Sequence, residues 1–177
     1  MAKKAVSATF EATLTRPDEM SGWHFLVIDS EIANRFPVVE KSRRVVLSMN
    51  GSEGFQCALM PSGGTFYIIV NKKKREQLGI EAGDIVNVTL TEDTSKYGLP
   101  MPEEFEAVLE QDDEGSDIFH SLTMGKQRSI IYQVSKPKDI DERIRIALIY
   151  LEHLKDNGGR VVYEKLKAEL KRPAFDM

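Results

Sequence analysis

Cysteine is almost absent from this chain, and the scarcity excludes a good deal. A single Cys57 among 177 residues cannot close an internal disulfide. Small secreted scaffolds held by such staples are therefore ruled out. Histidine is nearly as rare: His24, His120 and His153 lie far apart, and none stands at metal-ligand spacing from another His or from Cys57. No metal site and no cofactor is expected. No run approaches the ~18 apolar residues of a membrane span. The stretch MAKKAVSATFEATL has two lysines but no apolar h-region. A cytoplasmic protein without membrane association is expected. Gly-rich phosphate loops of the usual spacings are missing as well. Ser62, in PSGG, lies outside a nucleophile-elbow pattern and reads as a turn residue. Cys57 alternates with Phe55 and Leu59 and reads as a small buried hydrophobe. With no nucleophile, base or paired acid in view, no catalytic residue is assigned, and the chain reads as non-enzymatic.

What is present is an ordinary soluble composition, 41% apolar and 29% charged. The length allows one or two domains with a core that needs no covalent staples. The net charge of −4 is unevenly spread. Residues 1–98 carry 12 bases and 12 acids, residues 99–118 carry 8 acids and no base, and residues 119–177 carry 12 bases and 8 acids. An acidic band thus separates a neutral first part from a mildly basic last part. A general nucleic-acid binder would more often be basic throughout.

The hydrophobic period changes along the chain. In residues 5–14, Val6, Ala8, Phe10, Ala12 and Leu14 alternate on one face, the period of a half-buried strand. Further strands are expected at 22–29, 43–49, 55–60, 65–70 and 85–90. A short helix capped by Asp29 or Ser30 should run to Phe36, where Pro37 stops it. Asn50-Gly51 favours a turn, and PSGG (61–64) reads as a hairpin connection. Asn71 suits the N-cap of a helix over Lys72–Leu78, which Gly79 should end in the left-handed conformation. Residues 93–98 form a polar linker. From Leu99 the period becomes helical: helices are expected over 99–111, 116–122, 125–136, 137–159 and 162–170. In the long one, Ile140, Ile144, Leu148 and Leu151 make an apolar stripe, and Asp139–Arg143 and Asp141–Arg145 are spaced for i,i+4 pairs.

Candidate binding residues fall in two groups. Lys72 to Arg75 place four cations at a helix N-terminus, against the macrodipole, which hints at anion binding. The competing reading is a solvated face kept for solubility, and it is preferred. Lys126, Arg128, Lys136 and Lys138 lack obvious local partners, whereas Arg143 has Asp139. Trp23 is the only tryptophan, and with Phe25 and Val27 on its face it reads as barrel core or barrel mouth rather than a ligand-stacking ring. A pocket at that mouth would involve Trp23, Asn50, Met60 and Asn71.

Two stretches resemble known families. GWHFLVID, VVLSMNG and FQCALMPSGGTFYIIVNKKKREQLGIEAGDIVNVTL resemble a family of small β-barrels of unknown function, related to the AbrB/MazE-type double-split barrel. LPMPEEFEAVLE and FHSLTMGKQRSIIYQVSKPKDIDERIRIAL resemble the helical tail called YdeI/OmpD-associated, or bacteriocin-protection. The tail departs from its usual pattern of Ala-Lys followed by Glu-Thr-Arg, having Ser135-Lys136-Pro137 and then Asp141-Glu142-Arg143. The resemblance implies a bacterial protein of α+β class. A small β-barrel over residues 1–96, of about six or seven strands, would be followed by a helical appendage over 99–172. It implies no established activity, since fold does not fix function.

Three functions then compete. The first is a non-enzymatic, cytoplasmic binding protein, stress or bacteriocin-protection related. Its basic helices, through Lys126, Arg128, Lys136 and Arg143, would meet an acidic protein partner or an anionic ligand. The second is nucleic-acid binding through Lys72–Arg75, disfavoured by the negative net charge. The third is a small-molecule binder or enzyme with its pocket at the barrel mouth.

Overall fold

Alternating apolar residues build the first half of the molecule, and glycine turns close it. The computed structural model describes residues 3–18 and 22–173. Its contacts divide the chain into two units, Met1–Gly98 and Leu99–Met177.

The first unit is a closed six-stranded barrel. Its strands are β1 (Ser7–Thr15), β2 (Phe25–Ile28), β3 (Arg43–Met49), β4 (Phe55–Ser62), β5 (Thr65–Ile69) and β6 (Ile85–Glu92). Around the barrel they run β1-β2-β5-β4-β3-β6, and every pairing is antiparallel. The long β1 serves two neighbours. Ser7 to Thr13 pair with β6, and Leu14 and Thr15 pair with β2. Leu14, Leu26, Ile28, Leu47, Met49, Ile68, Val86, Val88 and Leu90 fill the interior, each nearly or wholly buried. These side chains pack the barrel interior, as a barrel this narrow requires. The expected face of β1 is the one buried: Ala8, Ala12 and Leu14 are in the core, with Val6 and Phe10 packed against it. Asn50 and Gly51 take the positive φ values of the expected turn. Cys57 also packs against this core, and burial pushes its thiol pKa up to about 12 although the Arg44 charge works the other way.

Two short helices punctuate the barrel. In α1 (Ser30–Ala33) the Asp29 side chain accepts a hydrogen bond from the Glu31 amide. In α2 (Lys72–Leu78) the Asn71 side chain accepts one from the Lys74 amide, and Gly79 ends the helix at φ 62°. α1 is shorter than expected, since beyond Asn34 the bonds tighten to i→i+3, from the Arg35 amide to the Ile32 carbonyl and from the Phe36 amide to the Ala33 carbonyl.

The second unit contains α3 (Glu103–Gln111), α4 (Asp113–Ser121), α5 (Met124–Ser135), α6 (Ile140–Asp156) and α7 (Tyr163–Glu169). α6 packs against each of the other four. This corrects the expected stripe. Ile140 is 58% exposed and Leu148 37%, while Ala147, Ile149, Tyr150, Leu151 and Leu154 are buried. A central helix is covered over a wide arc, so one narrow apolar line does not describe it. The expected ion pairs are also corrected. Asp139 is the α6 N-cap and accepts from the Glu142 amide, so it is not Arg143's partner. Arg143 reaches Glu104 at 3.3 Å and the Pro137 carbonyl at 2.7 Å. Arg145 takes Glu142, not Asp141, through two bonds of 2.7 and 2.8 Å, and donates to the Leu170 and Arg172 carbonyls beyond α7.

Polar groups inside this unit are bonded as burial demands. Gln127 donates to the carbonyls of His120 and Leu122. The Val162 amide donates to Nε2 of His153, which leaves Nδ1 to donate to Glu169 at 2.7 Å. Together with Phe119 and Phe105, whose rings meet edge to face at 5.1 Å, these contacts fix the helices on one another. Among the described residues, no helix is long and apolar enough to cross a membrane.

Candidate functional site

The barrel wall formed by β2 and β5 is apolar on both faces. Register explains why. Leu26 pairs with Ile68 and Ile28 with Phe66 on the inner side, while Phe25 pairs with Ile69 and Val27 with Tyr67 on the outer side. Alternation sends one set inward and the other into solvent. The outer set is left partly uncovered: Trp23 and Val27 are 49% exposed.

These side chains line a cavity of about 500 Å³ on the outside of the barrel. Trp23, Phe25 and Val27 line it from β2 and its approach. Tyr67, Ile69 and Thr65 do so from β5, with Thr15, Pro17 and Ser62 completing the lining. Trp23 and Phe25 lie nearly parallel, 7° apart, with ring centroids at 6.5 Å. Tyr67 stands edge-on to Phe25 at 5.3 Å and 88°. Among the described residues, nine line the space and none of them is charged. Thr15 and Thr65 direct their hydroxyls to the carbonyls of Thr13 and Ser62. Residues 19–21 lie outside the described residues.

This arrangement corrects the expected mouth pocket. Trp23 is neither core nor mouth; it stands on the outer face, with buried His24 and Leu26 pointing the opposite way. Met60 is Tyr67's partner in the β4–β5 ladder and so shares the outer face, but it does not line the cavity. Asn50 is engaged elsewhere, its side chain accepting from the Asn87 amide at 2.9 Å. Asn71 is engaged as the α2 cap. Phe25, Tyr67, Ile69 and the hydroxyl residues were not singled out from the sequence. Their signal was the alternation in WHFLVID and TFYII, which shows two apolar faces without saying which is inside.

The basic candidates are scattered in their employment. Lys72 is exposed and 3.6 Å from Glu76. Lys74 lies over the Phe55 ring at 4.8 Å. Arg75 belongs to the last turn of α2, where a cation suits the helix end, and its Nε is buried without a hydrogen bond. Three of the four cations thus have different surroundings within the barrel unit. In the second unit, Lys136 lies over Tyr132 at 4.9 Å and Arg143 pairs with Glu104. On α5, Lys126 is exposed and Arg128 partly buried. No group of three or more His, Cys, Asp or Glu that would hold a metal ion occurs among the described residues.

Comparison with known families agrees with the two-part layout. Residues 10–90 match a family model described as a domain of unknown function, DUF1905. Residues 99–157 match the model described as bacteriocin-protection, YdeI or OmpD-associated. No curated protein matches the chain.

Proposed function

We propose that this chain, which joins a DUF1905 barrel to a helical unit of the bacteriocin-protection, YdeI or OmpD-associated family, is a non-enzymatic binding protein. Its ligand is a small molecule held in the aromatic cavity on the outer face of β2 and β5. The observation that carries this reading is the cavity itself. Its volume, about 500 Å³, falls in the range of small-molecule sites, roughly 300–1,000 Å³. Its lining is aromatic with a few polar atoms, the usual composition of such sites. Three exposed or half-exposed rings on one face are costly to hydrate, and a ligand that covers them recovers that free energy.

The reading places the protein in the cytoplasm and keeps the bacteriocin-protection association that comes with its helical family. It ranks the cavity above the basic side chains as the binding surface. Arg143 and Lys136 already have partners within their own unit. The Lys72–Arg75 run is divided between an acid, a ring and a half-buried position.

Trp23 is the only tryptophan, so its fluorescence reports this cavity and nothing else. Titration of the full chain with a panel of metabolites should give a saturable change in Trp23 emission for at least one compound. The Tyr67→Ala variant should weaken that response by about tenfold or more, one stacked or edge-on ring contact plus its buried area. A flat response across the panel, with any thermal stabilisation unaffected by Tyr67→Ala, would contradict the reading.

A further inference from the structure

The shape and chemistry of the cavity also select among ligands, and this step rests on the reading above. We propose that the ligand is a flat, uncharged and largely apolar ring system carrying a hydrogen-bonding group at one edge.

Flatness follows from the ring geometry. Trp23 and Phe25 occupy alternate positions along one strand direction, their rings within 7° of parallel and their centroids 6.5 Å apart. That matches the ~6.6 Å spacing of alternate strand residues. Tyr67 adds a wall at right angles to Phe25. Two parallel π surfaces and one perpendicular edge offer stacked and edge-to-face contacts together, and only a planar π system uses both. A saturated ring of equal size fills the volume but gains area burial alone.

Neutrality follows from the lining. Among the described residues, no Lys, Arg, His, Asp or Glu lines the cavity, and a desolvated ion without a partner is strongly disfavoured. The polar limit follows from the hydroxyls. The protons of Thr15 and Thr65 are already given to backbone carbonyls. Among the described lining residues, Ser62 and Tyr67 are the hydroxyls left to donate. A sugar, with a hydroxyl on nearly every carbon, finds too few partners here; one edge group finds enough.

The test uses four probes of matched size on the full chain: naphthalen-2-ol, its saturated counterpart decahydronaphthalen-2-ol, naphthalene-2-sulfonate, and methyl glucoside. The readout is the indole N–H cross-peak of Trp23 in a proton–nitrogen correlation spectrum, the single such peak the sequence allows. Naphthalen-2-ol should move it saturably. The saturated alcohol and the sulfonate should bind at least about tenfold more weakly, a difference of 1.4 kcal/mol, and methyl glucoside should not move it. Equal binding of the saturated alcohol or the sulfonate overturns the ligand class while leaving the cavity as a binding site. No movement with any probe, beside a saturable metabolite response in Trp23 fluorescence, also overturns the class alone. Silence in both experiments overturns the site as well.

Discussion

The two units treat their awkward side chains in opposite ways. The barrel buries His24 yet leaves aromatic residues on its outside: Trp23, Phe25 and Tyr67 meet on an outer wall. The helical unit does the reverse. It draws His153 and Gln127 inside and bonds them, and it joins cations to acids across its helices, Arg143 to Glu104 and Lys155 to Asp112. The contrast separates stability from binding. Bonded polar groups in the helical unit hold helices together. Uncovered rings on the barrel add little to folding and remain available to another molecule.

If the contrast holds, the units should break by different routes. The largest effect is expected from Phe119→Ala, which opens a cavity at a fully buried ring. It should cost about 3–5 kcal/mol. Hydrogen exchange should show protection lost in α3–α6 and retained in β3 and β6. Parallel loss in both units would show that they unfold as one and would erase the distinction.

Acid should come next. The Lys155 hydrogen bond, aided by the Gly115 amide, holds the Asp112 carboxyl below its usual pKa. The Arg145 bond does the same for Glu142. A carboxylate depressed in the folded state stabilises fully above its unfolded pKa, and that stabilisation is lost as pH falls through the folded value. The unfolded values are roughly 4, so helix content should decline as pH is lowered from about 5 towards 3. Asp112→Asn should flatten part of that decline while retaining capacity to cap α4. By contrast, the barrel's Lys72–Glu76 pair is exposed on both sides, and Glu76→Gln should be nearly silent. A helical signal unmoved by acid would refute this part of the account.

The smallest effect on stability is expected where binding matters most. Trp23→Ala should shift the barrel's stability by no more than about 0.5 kcal/mol, as for a surface substitution, while abolishing the thermal stabilisation that the ligand gives the native chain. A loss of several kcal/mol would mean that Trp23 belongs to the core after all.

Much of this molecule is legible where the physics is local. β3 begins and ends at the expected residues, 43 and 49. α2 runs over the expected 72–78, because a cap at Asn71 and a left-handed glycine at 79 are decided within a few residues. The barrel is implied by the family resemblance rather than by any single run, and its closure is seen only in the strand order. What stayed hidden depends on distant residues. β2 and β5 are apolar on both faces, so period 2 cannot tell the inner from the outer set. Only the register against β1 and β4 decides it, and with it the location of the cavity. Likewise Glu104 is 39 residues from Arg143, beyond the reach of i,i+4 spacing. The stripe on α6 failed because a helix surrounded by four others has no single buried line.

The central claim is that this protein meets its ligand through the outer aromatic wall of the barrel. Backbone amide shift mapping of the full chain with a bound metabolite tests it most directly. The account predicts that the largest perturbations cluster at Trp23, Phe25, Val27, Tyr67 and Ile69. A cluster at Lys72–Arg75, or at Lys126 and Arg128, would contradict it.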